Sequence, residues 1–293
     1  MKLRFLYLII VAALSVILFS TCCNEEIEIP DDTPLPTLRI VQLCDPHLGF
    51  GSIHNDAANL EKVVAQINDL KPDLVLIAGD MVHEPNSELA ISTFKNVIAR
   101  IQSPVLLAPG NHDLCDEPFN YFSMEGLERF RKNFGADYSK VESKGRCIIS
   151  ANSHLWWTEA PQELVTAQDN WLKYTLQKAK SKAQAVILLT HVPLFISSVD
   201  EEDSRSNIPK TKREELLNLC EDYGVIVWLA GHAHRTLRND YQGIAFLNGE
   251  TISFNVDGEQ YGFRLLTLFS DNSFEWELIP FPYLLPPLTK INS

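Results

Sequence analysis

The chain has 293 residues, with 25 Lys and Arg against 38 Asp and Glu, for a formal charge of −13. At 45% hydrophobic and 22% charged it carries enough apolar material for a folded core, which excludes a disordered protein. Its 13 Gly and 16 Pro exclude collagen-like and low-complexity chains, its 6 Cys are too sparse for a disulfide scaffold, and its acidity argues against nucleic-acid binding.

Lys2 and Arg4 precede an almost wholly apolar run over residues 5–19. As a helix this run spans roughly 22 Å, short of a bilayer core of about 30 Å, so it reads as the apolar part of a secretory signal over residues 1–21. Ser20-Thr21-Cys22-Cys23 resembles a bacterial lipoprotein processing site, with Cys22 or Cys23 as the acylated residue. The usual leucine three places earlier is Phe19 or Ser20 here. An ordinary cleaved signal and a signal anchor are the alternatives. Residues 22–36 read as an acidic, proline-containing tether. Loss of Lys2 and Arg4 with the leader takes the charge from −13 to −15. The expectation is an exported lipoprotein, anchored to a bacterial membrane on its periplasmic or cell-surface side.

From residue 37 short apolar runs alternate with helical periods. Strands are expected at 38–44, 73–78 and 104–108, with helices at 55–70, 87–101 and 123–134 between and after them. Strands near 138–142 and 147–151 follow, then a long helix over 161–182. Strands at 185–190 and 225–230 enclose a helix at 210–223. After Gly231 only strands are expected, at 244–247, 253–256, 261–269 and 274–279, the last two joined by the turn Ser270–Ser273. This order predicts one α/β domain over residues 37–285, with a tail at 286–293. Its parallel apolar strands form two stacked sheets with helices outside and an antiparallel C-terminal part. In such sheets ligands bind at the carboxyl ends of the strands.

Five strands end in polar clusters: Asp45-Pro46-His47, Gly79-Asp80-Met81-Val82-His83, Gly110-Asn111-His112-Asp113, His191, and Gly231-His232-Ala233-His234. Six of the eight histidines thus collect at strand ends, which scattered core or surface histidines would not do. Two divalent ions about 4 Å apart need one shared ligand and several terminal ones. Asp80, after a tight glycine, is placed to bridge. Asp45 and His47, two apart, can turn to one side with His234. Asn111, His191 and His232 can complete a second site, with the amide limiting negative charge beside an anionic substrate. Oxygen and imidazole donors without thiolate suit Mn, Fe, Zn, Co or Ni.

The motifs D-x-H, G-D, G-N-H-D, H and G-H-x-H, in that order, resemble the calcineurin-like metallophosphoesterase family across about residues 37–280. The resemblance implies a four-layer α/β/β/α sandwich and the seven ligands Asp45, His47, Asp80, Asn111, His191, His232 and His234. It implies that His112 is the general acid, that Asp113 orients its imidazole, and that a metal-bridging hydroxide attacks phosphorus in line. The Asp-Pro dipeptide and short domain are similar to the compact group that includes Ser/Thr phosphatases. The expected substrate is a phosphomonoester or phosphodiester, including a phosphoprotein. The alternatives are a nucleotide pyrophosphatase or cyclic-nucleotide phosphodiesterase, and a non-catalytic metal-binding scaffold.

Other residues are read more plainly. Cys44 alternates away from Asp45 and should pack; Cys115, Cys147 and Cys220 are either free or paired. His83 stands where purple acid phosphatases have a metal-binding tyrosine, and it either lines the pocket or is exposed. His154 with Trp156 and Trp157 should pack in the core, as should Gln168, Trp171 and Leu172 against the sheet. His54 should lie in a loop near the site. Residues 194–212 should hang beside it.

Overall fold

The computed structural model describes residue 35 and residues 37–281, so the expected signal, the expected lipidation site at Cys22 or Cys23 and the C-terminal tail lie outside the described residues. No described helix is long and apolar enough to cross a membrane.

The first half of the chain builds one sheet. It runs β1 (Leu38–Leu43), α1 (Ile53–Leu70), β2 (Leu74–Ile77), α2 (Glu88–Ile98), β3 (Val105–Leu107), α3 (Asn111–Leu114) and α4 (Met124–Phe134). The second half adds β4 (Ser139–Ser143), β5 (Arg146–Ser150), α5 (His154–Trp157), α6 (Gln162–Ser181), β6 (Ala185–Leu189), α7 (Lys210–Tyr223), β7 (Val225–Ala230), β8 (Leu237–Tyr241) and β9 (Ile244–Asn248). Then β10 (Gly262–Leu268) and β11 (Phe274–Pro280) return to the first sheet. The first sheet has the order β11-β10-β1-β2-β3 and the second β4-β5-β6-β7-β9-β8. β1, β2 and β3 are parallel, as are β5, β6, β7 and β9; the outer strands β4, β8, β10 and β11 pair antiparallel.

Strand alternation explains the layers, because successive side chains point to opposite faces. In β1, Ile40 faces the other sheet while Val41 and Leu43 face helices α1 and α2. In β6, Ile187 and Leu189 face the first sheet while Val186 and Leu188 face α6 and α7. Both sheets are therefore apolar on both sides, and the result is the expected α/β/β/α sandwich. Trimming Ile187 or Leu189 to alanine would cost about 2–5 kcal/mol. The helix starts follow local chemistry: Ser52, Ser87 and Ser123 each accept a backbone N–H of the first turn.

Two differences concern the region after Gly231. The expected strand at 253–256 is not formed; Ser253 and Phe254 lie in a loop. The strand that does form is β8, whose Leu-Arg-Asn-Asp-Tyr alternates between half-buried and exposed and sits at a sheet edge. Its polarity hid it. His54 also departs from expectation, lying exposed in the first turn of α1 instead of a loop.

Candidate metal centre

The carboxyl ends of β1, β2, β6 and β7, with the start of α3 after β3, converge on one point. There Asp45, His47, Asp80 and His234 place donor atoms within 4.8 Å of one another, as do Asp80, His191 and His232. Asp80 belongs to both groups. Its Oδ2 lies 3.3 Å from His47 Nε2 and 3.3 Å from His191 Nε2. His234 Nε2 is 3.4 Å from Asp45 Oδ1. On the other side Asn111 Oδ1 and His232 Nδ1 lie 2.9 and 3.1 Å from His191 Nε2. The seven expected ligands are thus brought together, and all but half-buried His232 are buried.

The local backbone is bent to achieve this. Asp45, His47, Asp80, His232 and His234 have φ of 51°, 42°, 52°, 68° and 49°. The left-handed region costs a residue with a Cβ roughly 1 kcal/mol or more. Hydrogen bonds hold these turns. Thr251 Oγ1 and Ser253 Oγ donate to the Asp45 carbonyl at 3.1 and 2.7 Å. The His47 amide donates to the Asp80 carbonyl at 2.8 Å, and the His232 amide to the Asp45 carboxylate at 3.1 Å. Space is equally constrained. A Cβ on Gly110 would fall 2.1 Å from Asp80 Oδ1, and one on Gly79 would fall 2.6 Å from His191 Nδ1.

Whether these residues fit two cations can be decided from their outer hydrogen bonds. His191 Nδ1 donates to the Ala78 carbonyl at 2.7 Å, His234 Nδ1 to Phe254 at 2.6 Å, and His232 Nε2 to Arg205 at 2.8 Å. A carbonyl only accepts, so each outer nitrogen carries the hydrogen. In neutral imidazoles the lone pair is then turned inward, the arrangement by which outer contacts orient metal ligands. Titration agrees. Burial opposes a charge on His191, yet Asp80 and Asp45 outweigh it and push its pKa up to about 9. Burial, then His191, holds His232 down at about 3. Asp80 is buried, but His191, His112 and His47 keep its carboxyl well below the usual range. Buried carboxylates here call for positive charge, and the donor set suits two divalent ions.

His112 is half-buried at the rim. Its Nδ1 donates to the His83 carbonyl at 2.8 Å, and its amide donates to Asp80 Oδ1 at 2.9 Å. Asp113 does not orient it, which corrects the sequence expectation. The Asp113 carboxylate instead accepts the amides of Met81, Val82 and Gly110 at 2.9, 3.3 and 2.8 Å. It is spent on joining the two loops that carry Asp80 and Asn111. His83 lies against the centre, its Nδ1 3.5 Å from His47 Nδ1.

The remaining assignments divide. Cys44 is buried with its sulfur 3.7 Å from the Ala230 carbonyl, a packing residue, and Cys115, Cys147 and Cys220 are free thiols. His154, Trp156, Gln168 and Leu172 are buried. Gln168 accepts the Asn152 amide and donates to its carbonyl, at 2.8 and 3.1 Å. The neighbouring Ser153 hydroxyl accepts the amides of His191 and Val192. Residues 194–209 form a built loop, and 210–212 open α7. Glu201 accepts the amides of Ile196, Ser197 and Ser198, and buried Arg213 donates to the carbonyls of Val199, Glu201 and Ile208. Sequence reasoning missed Thr251, Ser253 and the Phe254 and Arg205 carbonyls. Backbone acceptors carry no residue signature, and Ser253 and Phe254 were assigned to a strand.

Comparison with known proteins gives the same answer. The chain is 29% identical over 221 residues to a mouse protein named serine/threonine-protein phosphatase CPPED1, covering 72% of this chain and 70% of the relative. It is 25% identical over 237 residues to a protein of Vesicomyosocius okutanii named probable cyclic nucleotide phosphodiesterase, covering 79% and 94%. In fold it is similar to a dimetal phosphatase from Danio rerio, with a TM-score of 0.63 at 13% identity, covering 81% of this chain and 96% of the other. The Calcineurin-like phosphoesterase profile matches residues 38–236. With the two-cation donor set at the matching strand ends, the chain belongs to the calcineurin-like phosphoesterase family.

Proposed function

We propose that Asp45, His47, Asp80 and His234 hold one divalent ion, that Asp80, Asn111, His191 and His232 hold the other, and that His112 is the general acid in phosphate-ester hydrolysis. The observation that carries this reading is the shared Asp80 Oδ2, 3.3 Å from an imidazole of each group. Two bound divalent ions supply Lewis-acid polarisation of phosphoryl oxygens and lower the pKa of water. The chain does the rest. Because His112 Nδ1–H is committed to the His83 carbonyl, Nε2 is the atom that gives a proton to the departing oxygen and takes one back. Asp113 sets the distance between the Asp80 and Asn111 loops through its three amide bonds.

For the substrate, the relatives' names support a phosphomonoester, including a phosphoserine or phosphothreonine. A phosphodiester is the second reading, supported by the phosphodiesterase-named relative. The test is metal analysis combined with turnover of 4-nitrophenyl phosphate, bis(4-nitrophenyl) phosphate and a phosphoseryl peptide in Mn2+. Two ions per chain and turnover of at least one ester are expected. Protein holding two ions that hydrolyses none of them overturns the reading.

The leader and the Cys22-Cys23 pair support export and lipid anchoring. Labelling cells with a fatty-acid analogue should mark the mature chain, and a mature form without lipid at either cysteine rejects the anchor.

A further inference from the structure

His112 stands among rings. Phe119 stacks on its imidazole, with centroids 3.8 Å apart and planes 22° from parallel. His83 lies 4.8 Å from His112 at 27°. Phe50 meets His83 edge-on at 5.1 Å, and Phe254 stacks on Phe50 at 4.2 Å. Phe254 also lies 4.2 Å from His234. A wall of rings thus runs from the proposed acid to the first ion site. Each of Phe50, His83, Phe119 and Phe254 is only half-buried, so ring surface remains open beside the candidate metal ligands.

This wall is built, not incidental. Asp56 accepts the amides of Gly49 and Gly51 on either side of Phe50, at 2.9 and 3.2 Å. The Phe50 amide donates to the His47 carbonyl at 2.9 Å. Phe254 is tied to His234 through its carbonyl. Phe119 sits at φ 59°, with its amide donating to the Asp116 carbonyl at 2.8 Å. Rings fixed before a ligand arrives bind it without an ordering cost. The flanking loops are acidic: exposed Asp116 and Glu117 precede Phe119, and exposed Asp257 and Glu259 follow Phe254. A substrate with further negative charge beyond its phosphate would be repelled there.

Resting on the assignment of His112 as acid, we infer that Phe119, Phe50 and Phe254 form a leaving-group subsite for a flat, π-bearing group of low negative charge. A leaving oxygen within reach of His112 brings its substituent against Phe119. A phenolic ring or a nucleobase gains offset stacking there beyond its area; the aliphatic alcohol of a phosphoserine or phosphothreonine does not, so among the proposed phosphate esters the subsite favours those with a flat group over the phosphoseryl one.

The test is calorimetric binding of non-hydrolysable phosphonates to the manganese-loaded protein. Phenylphosphonate and cyclohexylphosphonate have similar size, and only the first is flat. Phenylphosphonate should bind about fivefold tighter or more, a ratio set by one ring-stacking contact. The ratio should fall to about one in Phe119→Leu and be retained in Phe119→Tyr, which keeps the ring. The 5′-phosphonate analogues of adenosine and ribose monophosphates separate the sources. A preference in this pair beyond that for phenyl assigns a nucleobase, and its absence assigns a phenolic ring. Equal binding of phenyl and cyclohexyl, or a preference that survives Phe119→Leu, overturns the subsite. If methylphosphonate fails to bind the loaded protein at all, the metal-centre reading falls first and the subsite with it.

Discussion

His47 and His234 turn their Nε2 atoms toward one another across 3.2 Å. The outer nitrogen of His234 is already committed to the Phe254 carbonyl, so its inner nitrogen has a lone pair and no hydrogen when the ring is neutral. Burial keeps the His47 pKa well below its ordinary value, so that ring is neutral and carries a single hydrogen, on Nδ1 or on Nε2. With the hydrogen on Nδ1, the tautomer a metal ligand needs, two lone pairs converge beside Asp80, and a cation among them satisfies both.

Removing metal should therefore destabilise the fold. The first-sheet strands contribute Asp45, His47 and Asp80, and the second-sheet strands His191, His232 and His234, so bound ions tie the two sheets together. A ligand at 100 times its Kd stabilises by about 2.7 kcal/mol, which predicts a loss of roughly 5–10 °C in Tm on chelation. Scanning calorimetry with a chelator, then with Mn2+ restored, checks this. An unchanged Tm would show that the ligands need no ion for stability.

Asp80→Asn should lose metal and activity together, because both donor groups pass through one carboxylate. Turnover should fall about a thousandfold, on the order of 4 kcal/mol of barrier, with metal content well below two per chain. A variant still holding both ions would mean that Asp80 is not shared.

His112→Asn and Asp113→Asn should behave differently. The first should keep its metal and lose about 10²–10⁴ in kcat. The second should lose about 1–3 kcal/mol of stability, because an amide cannot accept all three N–H donors now facing the carboxylate. At a temperature where both are folded, Asp113→Asn should be the much more active enzyme. Equal kcat losses would restore the sequence-based idea that Asp113 acts through the imidazole.

Glu201 gives a pH prediction away from the metal. Burial raises its pKa, but hydrogen bonds from Asn207, Ile196 and Ser197 outweigh that and hold it at about 2, against an ordinary 4.5. The native state therefore binds fewer protons than the unfolded one. The contribution is present above pH 4.5 and is lost as pH falls from 4.5 toward 2. Glu201→Gln should cost about 1–3 kcal/mol at neutral pH and flatten the acid side of the stability curve. Urea titrations at pH 7 and pH 3.5 test this; a difference between variant and wild type that is the same at both sets the idea aside.

The sandwich was legible because its central strands are continuous apolar runs bounded by polar clusters, as in Ala185–Leu189 followed by His191. The ligand set was legible for a related reason: histidines and aspartates collect at the carboxyl ends of several strands, where this fold class binds its ligands. β8 was not legible, since an edge strand with exposed Arg238 and Asp240 has no apolar period to read. Asp113 was misread because adjacency in sequence suggested a partner, whereas the carboxylate is turned toward backbone amides of another loop. The ring wall was invisible because Phe50, Phe119 and Phe254 are far apart in the chain, and no spacing links them.

The left-handed turns at Asp45, His47, Asp80, His232 and His234 bear on how the protein acquires its ions. Hydrogen bonds within the chain, from Thr251, Ser253 and neighbouring amides, offset part of their cost. To the extent that those bonds hold the turns, the geometry of any one metal matters less, and one ion can replace another on the same scaffold. With oxygen and nitrogen donors that favour no single metal, occupancy follows the order of intrinsic affinities weighted by supply. The same chain would carry different metals in differently furnished surroundings.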